Sequence, residues 1–422
     1  MRTLLTSLAV LIFTLPLGAA TRLTATVAGQ VVPVEWAQSS LPIGYRVDQR
    51  LINALPGGAG MLDRAFATWE SIPDSRATFK QVAVENRTLA AGQDGQSVIT
   101  ISDDLFANQK AIALTTTWDV GGKLVESDIQ LDATMITSGY NIQHAITHEI
   151  GHMLGLDHSA SLSSIMYPYV ARGNDAVVLD SDDTTAIAGI YAETDGKLAG
   201  GVLQGRVMGD GGGIFAAQVV ALNERGEPIA TGLTDASGEF TLKAIPEGKY
   251  RIYAEPLDGP VEVKQLSPYW RQVKVTPFPT EFYQGGTIDV QNGRVYGNLV
   301  VRSSGPVQVN PKWVGVSASG SSDFKLVSTS ALIKAGQTMA LAVGGDGIVG
   351  GMTTFEVLSP SIKRVSDFRY SSNYVFANYE IAADAPAGAA VIMVASGNQS
   401  AALTGALRVQ GTGGGRGRAV RR

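Results

Sequence analysis

Three histidines and one glutamate lie within eleven residues and could together form a catalytic metal site. Residues 148–158 read HEIGHMLGLDH, which fits the pattern H-E-x-x-H-x-x-G-x-x-H at every fixed position. His148 and His152 are four residues apart, so a helix would place both imidazoles on one face, one turn apart. Three neutral nitrogen ligands leave one position open for water, which is the arrangement of a catalytic zinc rather than a structural one.

The remaining residues of this pattern complete the predicted chemistry. Gly155 would let the chain leave the helix in a conformation that other residues resist, so that His158 can turn back as the third ligand. Glu149 follows the first ligand and would lie at the edge of the site, where it could hydrogen-bond water without binding the metal itself. We therefore predict His158 as a zinc ligand with the other two histidines, and Glu149 as the general base.

His144 is an alternative ligand by spacing alone, because it lies one turn before His148 on the same face. A catalytic zinc needs only three protein ligands, so we expect His144 to be a surface residue or a neighbour of the site. A bare H-E-x-x-H also occurs by chance, on exposed helices that carry imidazoles. The added glycine and third histidine favour the metal site, as does the position of all four histidines of the chain between His144 and His158.

The sequence after the third histidine resembles that of the metzincin zinc peptidases. Residues 164–168, SIMYP, resemble the Met-turn that runs beneath the zinc in this group, with Met166 as its apolar floor. Ser159, directly after the third histidine, together with Met166-Tyr167-Pro168 resembles the matrixins, the matrix metalloproteinase branch, and this resemblance extends over about 40–195. The resemblance implies a zinc-dependent endopeptidase in which Pro168, Tyr169 and Val170 wall the pocket beside the scissile bond.

Apolar periodicity predicts the elements that must hold these residues in place. Spacings of three and four predict a helix over 62–72, the metal motif lies on a second helix from about Asn141 to Gly155, and a third is predicted over 184–191. Four stretches rich in β-forming residues predict strands: Ala77–Val84, Ser97–Ser102, Ala111–Trp118 and Ser127–Asp132. With the resemblance, they predict an α+β catalytic domain over 21–195, built on a twisted mixed β-sheet with three helices.

Three further expectations concern this domain. A substrate chain should lie extended along an edge strand, for which Ala111–Thr117 is the best candidate. Calcium could bind among acidic residues in the turns, although a solvated acidic surface is the stronger interpretation. These residues are Asp119, Glu126, Asp128 and Asp132. The second structural zinc of animal matrixins is not expected, because no histidine lies outside 144–158.

Both ends of the chain and the region after residue 195 differ in character from the catalytic domain. Residues 1–20 have a cationic start, a short apolar core and small residues before position 21, which predicts a cleaved signal peptide.

Residues 198–290 carry short, glycine-punctuated strands and resemble the carboxypeptidase regulatory-like family through Thr234–Phe240 and Pro246–Tyr250. Residues 291–411 resemble an immunoglobulin-like β domain. We predict two all-β sandwich-like domains and a disordered Gly/Arg tail over 412–422.

Composition restricts the class of partner. The formal charge is −5 without a basic block, so nucleic acid is excluded as a partner. No later segment is apolar for long enough to span a membrane, and the absence of cysteine excludes both a disulfide framework and a cysteine-based latency device. We predict a secreted, extracellular or periplasmic endopeptidase acting on proteins. The alternative is an exported adhesion protein whose β-domains contact a surface, a polysaccharide or a protein.

Overall fold

The chain forms three consecutive units, the first mixed α and β and the other two built of strands. The computed structural model describes residues 21–73, 75–103, 111–173, 175–192, 200–257, 259–272, 277–305, 307 and 309–411. The predicted signal peptide and Gly/Arg tail lie outside these residues. Within the described ranges, no helix is both long and apolar enough to cross a membrane.

The first unit contains a hairpin, a mixed sheet and, among the described residues, four α-helices. Its strands are β1 Thr24–Val27, β2 Gln30–Pro33, β3 Glu35–Trp36, β4 Ile43–Asp48, β5 Phe79–Glu85, β6 Val98–Ser102, β7 Ala113–Val120 and β8 Lys123–Asp132. Its helices are α1 Gln49–Ala54, α2 Ala59–Glu70, α3 Ile142–Met153 and α4 Ser181–Ile190. The three predicted helices correspond to α2, α3 and α4, whereas the six-residue α1 was not predicted.

The mixed sheet leaves β7 at one edge. The strand order is β3-β8-β6-β4-β5, with β7 joined to β8. The pairs β4–β5, β4–β6, β6–β8 and β3–β8 are parallel, and β7 runs antiparallel to β8. Among the described strands β7 pairs with β8 alone, so its outer side offers free backbone groups to another extended chain.

Helices α2 and α3 pack together behind this sheet. Leu62, Phe66 and Trp69 form the buried stripe of α2, at the spacing that the sequence predicted. The Trp69 indole Nε1 donates a hydrogen bond of 2.8 Å to the carbonyl of Thr147 on α3. The α3 helix begins at the cap Asn141, whose side chain accepts from a backbone N–H in the first turn. The metal motif therefore lies on a helix that is fixed on both its buried side and its N-terminus.

The second unit is a β-sandwich. Its strands are β9 Gly201–Gly209, β10 Gly212–Gly213, β11 Gln218–Asn223, β12 Pro228–Leu233, β13 Glu239–Ile245, β14 Gly248–Glu255, β15 Glu281–Phe282, β16 Ile288–Val290 and β17 Val295–Arg302. One sheet has the order β10-β9-β13 with β17 beside β9, and the other has β12-β11-β14-β15 with β16 beside β14. Apolar side chains from both sheets share one core.

The limit of this sandwich differs from the boundary predicted at residue 290. Strand β17 pairs in parallel with β9 in the register Val301 to Val207, and Leu299 and Val301 are buried in the sandwich core. Residues 295–302 therefore belong to the second unit, not to the third. Local sequence signals could not indicate this, because a parallel partner can lie far away along the chain.

The third unit is a second sandwich. Its strands are β18 Asn310–Ala318, β19 Ala331–Lys334, β20 Thr338–Asp346, β21 Thr353–Val357, β22 Ile362–Arg364, β23 Arg369–Tyr370, β24 Tyr374–Ile381, β25 Gly388–Ser396 and β26 Gln399–Gln410. One sheet has the order β18-β20-β24-β22 with β23 beside β24, and the other has β19-β26-β25-β21. The assignment to an immunoglobulin-like family stays a prediction.

The three units are joined by a shared apolar core and by buried hydrogen bonds. Leu162 and Tyr167 of the first unit lie in the same buried cluster as Leu266 and Trp270 of the second and the core of the third. On α4, the buried carboxylate of Asp182 accepts hydrogen bonds from the backbone N–H and the hydroxyl of Thr231 on β12. The β-domains are thus packed onto the first unit.

Candidate metal centre

The end of helix α3 places two histidines on one face and then reverses the chain. The rings of His148 and His152 are 4.7 Å apart between centroids. Gly155 follows with φ of +92°, and a Cβ at this position would lie 2.5 Å from the carbonyl oxygen of Val34. Only glycine fits both the backbone conformation and the space, as the sequence predicted for the residue that turns the chain.

This reversal brings the third histidine to the other two. The His158 ring centroid lies 5.1 Å from that of His148 and 4.8 Å from that of His152. One nitrogen of each ring can be chosen so that all three lie within 4.8 Å of one another. Three nitrogens at this spacing fit the donor set of zinc, which binds imidazole nitrogen at about 2.0–2.1 Å.

Each imidazole is oriented by a backbone carbonyl. The Nδ1 of His148 lies 2.8 Å from the carbonyl oxygen of Ile165, and that of His152 lies 2.8 Å from the carbonyl oxygen of Leu156. The Nδ1 of His158 contacts the carbonyl oxygen of Gln265, which belongs to the second unit. A ring that donates from Nδ1 to a carbonyl carries its lone pair on Nε2, so all three rings are set as metal ligands.

Two of the ligand rings, those of His148 and His152, are neutral without help from a metal. Burial, with the two neighbouring imidazoles, lowers the pKa of His148 well below its ordinary value. Burial and the neighbouring His158 lower the pKa of His152 to about 3. Metal binding requires unprotonated imidazole, so these two rings bind at neutral pH without first releasing a proton.

Glu149 lies beside the three histidines but outside the set of ligands. Its Oε2 accepts a hydrogen bond of 2.6 Å from the hydroxyl of Thr115 on the edge strand β7. Burial raises the pKa of Glu149 to about 7, although the Thr115 hydrogen bonds oppose this change. A carboxylate with a pKa near neutrality can both accept and return a proton, as a general base that later acts as an acid must do.

Met166 lies directly beneath helix α3, and its role in a Met-turn stays a prediction. It is buried, and a Cβ built on Gly151 would lie 2.2 Å from its Sδ and 2.9 Å from the Trp69 ring. The glycine inside the metal motif therefore lets the methionine approach the helix backbone.

We expect Gly151→Ala to lower the free energy of unfolding by about 1–3 kcal/mol, because the new methyl group must displace Met166 or Trp69. Gly60→Ala is the matched control, since it also lies within a helix but meets only the flexible end of Arg64, at 3.5 Å. Alanine has the higher helix propensity, so this control should be neutral or stabilising. Urea unfolding of both variants measures the difference, and equal midpoints would contradict the packing described here.

The histidines open onto a cleft of about 500 Å³. Strand β7 and the preceding residues form one wall, over 111–115 and at Thr117, and the predicted pocket residues Pro168, Tyr169 and Val170 form another. The remaining wall is formed by Gln265–Pro268 and Arg271 of the second unit. Sequence patterns did not indicate this third wall, because its first residue, Gln265, lies 107 residues beyond His158.

His144 is not one of the convergent rings. It is half-buried, burial lowers its pKa to about 4, and its Nε2 has no hydrogen-bond partner among the described residues. It lines a separate cavity of about 490 Å³ between the first and third units.

The carboxylates proposed for calcium are occupied by hydrogen bonds within the chain. Glu126 accepts from the backbone N–H of Asp94 and Gly95, and Asp128 accepts from those of Gly92 and Val98. These two buried side chains therefore hold the loop over 92–98 against the sheet.

Comparison with known proteins finds relatives of the first unit. The family model described as Matrixin matches residues 59–192. The chain is 47% identical over 57 residues to human "Matrix metalloproteinase-26", which covers 13% of this chain and 22% of that protein. It is 35% identical over 74 residues to "Metalloendoproteinase 1" of Glycine max, covering 18% of this chain and 22% of that one.

A third relative matches a longer stretch. "Probable matrix metalloproteinase 095L" of Invertebrate iridescent virus 3 is 32% identical over 140 residues, which cover 29% of this chain and 35% of the viral protein. The chain thus spans about a fifth to a third of the length of these three relatives. The matches support the predicted metalloendopeptidase domain and its resemblance to matrixins. The likeness of residues 198–290 to the carboxypeptidase regulatory-like family stays a prediction.

Proposed function

We propose that this protein is a secreted, zinc-dependent endopeptidase that hydrolyses peptide bonds of extracellular proteins. The observation that carries the proposal is the convergence of His148, His152 and His158, each with its Nδ1 on a backbone carbonyl, beside a carboxylate that is not needed as a ligand. A purely structural zinc site would have a closed set of four protein ligands.

The chain's own residues divide the work of hydrolysis. Bound zinc supplies Lewis acidity, which strengthens water as an acid and a peptide carbonyl as an electrophile. Oε2 of Glu149, held by Thr115, takes the proton from the attacking water. The same carboxyl then passes this proton to the nitrogen of the leaving amine.

The substrate backbone is held by strand β7. An extended peptide can pair with the free edge of Ala113–Val120, which places its carbonyl groups beside Glu149 on α3. Pro168, Tyr169 and Val170 then receive the side chain next to the scissile bond. Tyr169 is 43% exposed, so its ring is available to a substrate.

Secretion by cleavage after about residue 20 is part of the proposal. It rests on the three-part character of residues 1–20 and predicts a mature chain that begins near Thr21. Calcium binding at Asp119, Glu126, Asp128 and Asp132 stays a prediction. Glu126 and Asp128 already accept hydrogen bonds from backbone N–H groups of the chain.

Metal removal tests the proposed activity. We expect the purified protein to cleave an unfolded protein substrate, to lose at least nine-tenths of its activity in a chelator, and to regain it when zinc is added back. The cleavage rate and the bound zinc per chain are both measured, because zinc supplies the Lewis acidity of the reaction. Cleavage that a chelator leaves unchanged after the zinc is removed would overturn the mechanism.

A further inference from the structure

A segment of the second unit extends to the metal centre. Residues 261–272 lie between β14 and β15 and contain two 3-10 turns, Val263–Gln265 and Pro268–Gln272. Val261, Leu266 and Trp270 are each at most 2% exposed and pack in the core shared by the three units. We call residues 261–272 the wall segment. These buried side chains fix its position on the first unit.

Two contacts connect the wall segment to the third metal ligand. The carbonyl of Gln265 accepts from the Nδ1 of His158. The backbone N–H of Ser267 donates to Oδ2 of Asp157 over 2.8 Å, while Oδ1 of the same carboxylate accepts from the backbone N–H of His158, also over 2.8 Å. Asp157 is only 4% exposed, so both of its oxygens are committed in a buried place. The orientation of His158 thus depends on a partner outside the first unit.

The wall segment also faces the substrate cleft. Leu266, Ser267 and Pro268 line the cleft together with Arg271, which is the only Lys or Arg among the described residues that line it. The Nε of Arg271 donates to the carbonyl of Leu266 over 2.6 Å, which fixes the guanidinium at the wall. A positive charge at this place favours substrates that carry an acidic side chain there.

We propose that the wall segment is part of the catalytic centre: it positions His158 for the metal, and through Arg271 it selects peptides with an acidic residue. The proposal rests on the peptidase function proposed above, and it adds a substrate class and a role for the second unit. Ser267 and Asp157 are positioning residues, because they act through His158.

The positioning role is tested at a backbone donor. Ser267→Pro removes the N–H that binds Asp157, and the extended conformation of Leu266, with ψ of 170°, is compatible with a following proline. Ser267→Ala separates the backbone group from the side chain, since it keeps the N–H that binds Asp157 and removes only the hydroxyl. Zinc affinity is measured by competition with a coloured chelator, and kcat and KM on a short peptide.

We expect Ser267→Pro to bind zinc about 10- to 100-fold more weakly, which is the usual effect of removing a group that orients a metal ligand. Its kcat should return to the wild-type value in excess zinc. Ser267→Ala should bind zinc at least about tenfold more tightly than Ser267→Pro, because it keeps the N–H. If Ser267→Pro does not fold, Asp157→Asn gives the same test. The side chain keeps its shape, but its NH2 group must then face the backbone N–H of either Ser267 or His158, so one of the two hydrogen bonds is lost. A folded Ser267→Pro or Asp157→Asn protein with wild-type zinc affinity would overturn the positioning role.

Substrate selection is tested with peptides in which a single glutamine is changed to glutamate at each position in turn. We expect one position at which glutamate raises kcat/KM by about threefold, in keeping with a partly exposed ion pair. Arg271→Gln should abolish this preference, and Arg271→Lys should keep it. Equal preference in wild type and Arg271→Gln would overturn the selection. If the wild-type protein cleaves no peptide, the peptidase proposal fails, whereas the zinc-affinity comparison still decides the positioning role.

Discussion

Glu149→Gln is expected to lower kcat by about 10²- to 10⁴-fold while the protein keeps one zinc per chain. The amide has nearly the shape of the carboxylate but cannot accept the proton of the attacking water. Its oxygen can still accept from the Thr115 hydroxyl, so the hydrogen bond to β7 is preserved. The rate on a short peptide and the zinc content measured on the same sample separate loss of the base from loss of the metal.

Asp63→Asn is the matched control for this variant. Asp63 lies exposed on helix α2, so the same change from carboxylate to amide should leave kcat and zinc content as in the wild type. A Glu149→Gln protein that keeps more than a tenth of the wild-type rate with full zinc content would remove Glu149 from the proposed role. Loss of zinc in this variant would instead indicate that Glu149 takes part in binding the metal.

The convergence of the three histidines was predictable because its signals are local. His148 and His152 are related by helical spacing, and Gly155 and His158 follow within six residues. The structure brings all three rings together as that spacing predicts. Met166 is also local in sequence, since it lies only eight residues beyond the third histidine, and it packs against Gly151.

The partners that orient the site were harder to predict, because they are backbone groups. The carbonyl of Gln265 and the N–H of Ser267 contact His158 and Asp157 whatever side chains residues 265 and 267 carry. Such contacts leave no pattern of residue types in the sequence. The same limitation applies to β17, whose parallel pairing with β9 is decided by packing over about a hundred residues of chain.

The sequence suggested a catalytic domain followed by separate modules, but the structure has continuous packing. The hydroxyl of Tyr167, next to the Met-turn methionine, donates to the carbonyl of Ser328 in the third unit. The backbone N–H of Leu162 donates to the carbonyl of Thr404 over 2.9 Å. The loop over 162–167, which contains Met166, is therefore held by the third unit in addition to helix α3 above it.

A chain of residues 21–192 alone is expected to lose more than 99% of the peptidase activity and to be poorly soluble. Truncation would expose the apolar surface of Leu162 and Tyr167, which is now buried in the shared core. It would also remove the Thr231 donors from the buried carboxylate of Asp182 and the carbonyl that orients His158. Soluble yield, thermal unfolding, zinc affinity and kcat/KM on a short peptide measure these losses.

The control is a chain of residues 21–411, which lacks only the Gly/Arg tail and keeps all the contacts described above. It should match the protein of residues 21–422 in stability and activity. Full kcat/KM in the 21–192 chain would mean that the β-domains are spacers or targeting modules, as expected of independent units. Loss of activity in that chain, with full activity in the 21–411 chain, would instead make the second and third units part of the enzyme. The second unit orients His158 through the Gln265 carbonyl, and the third unit holds the loop beside Met166 through the Ser328 carbonyl.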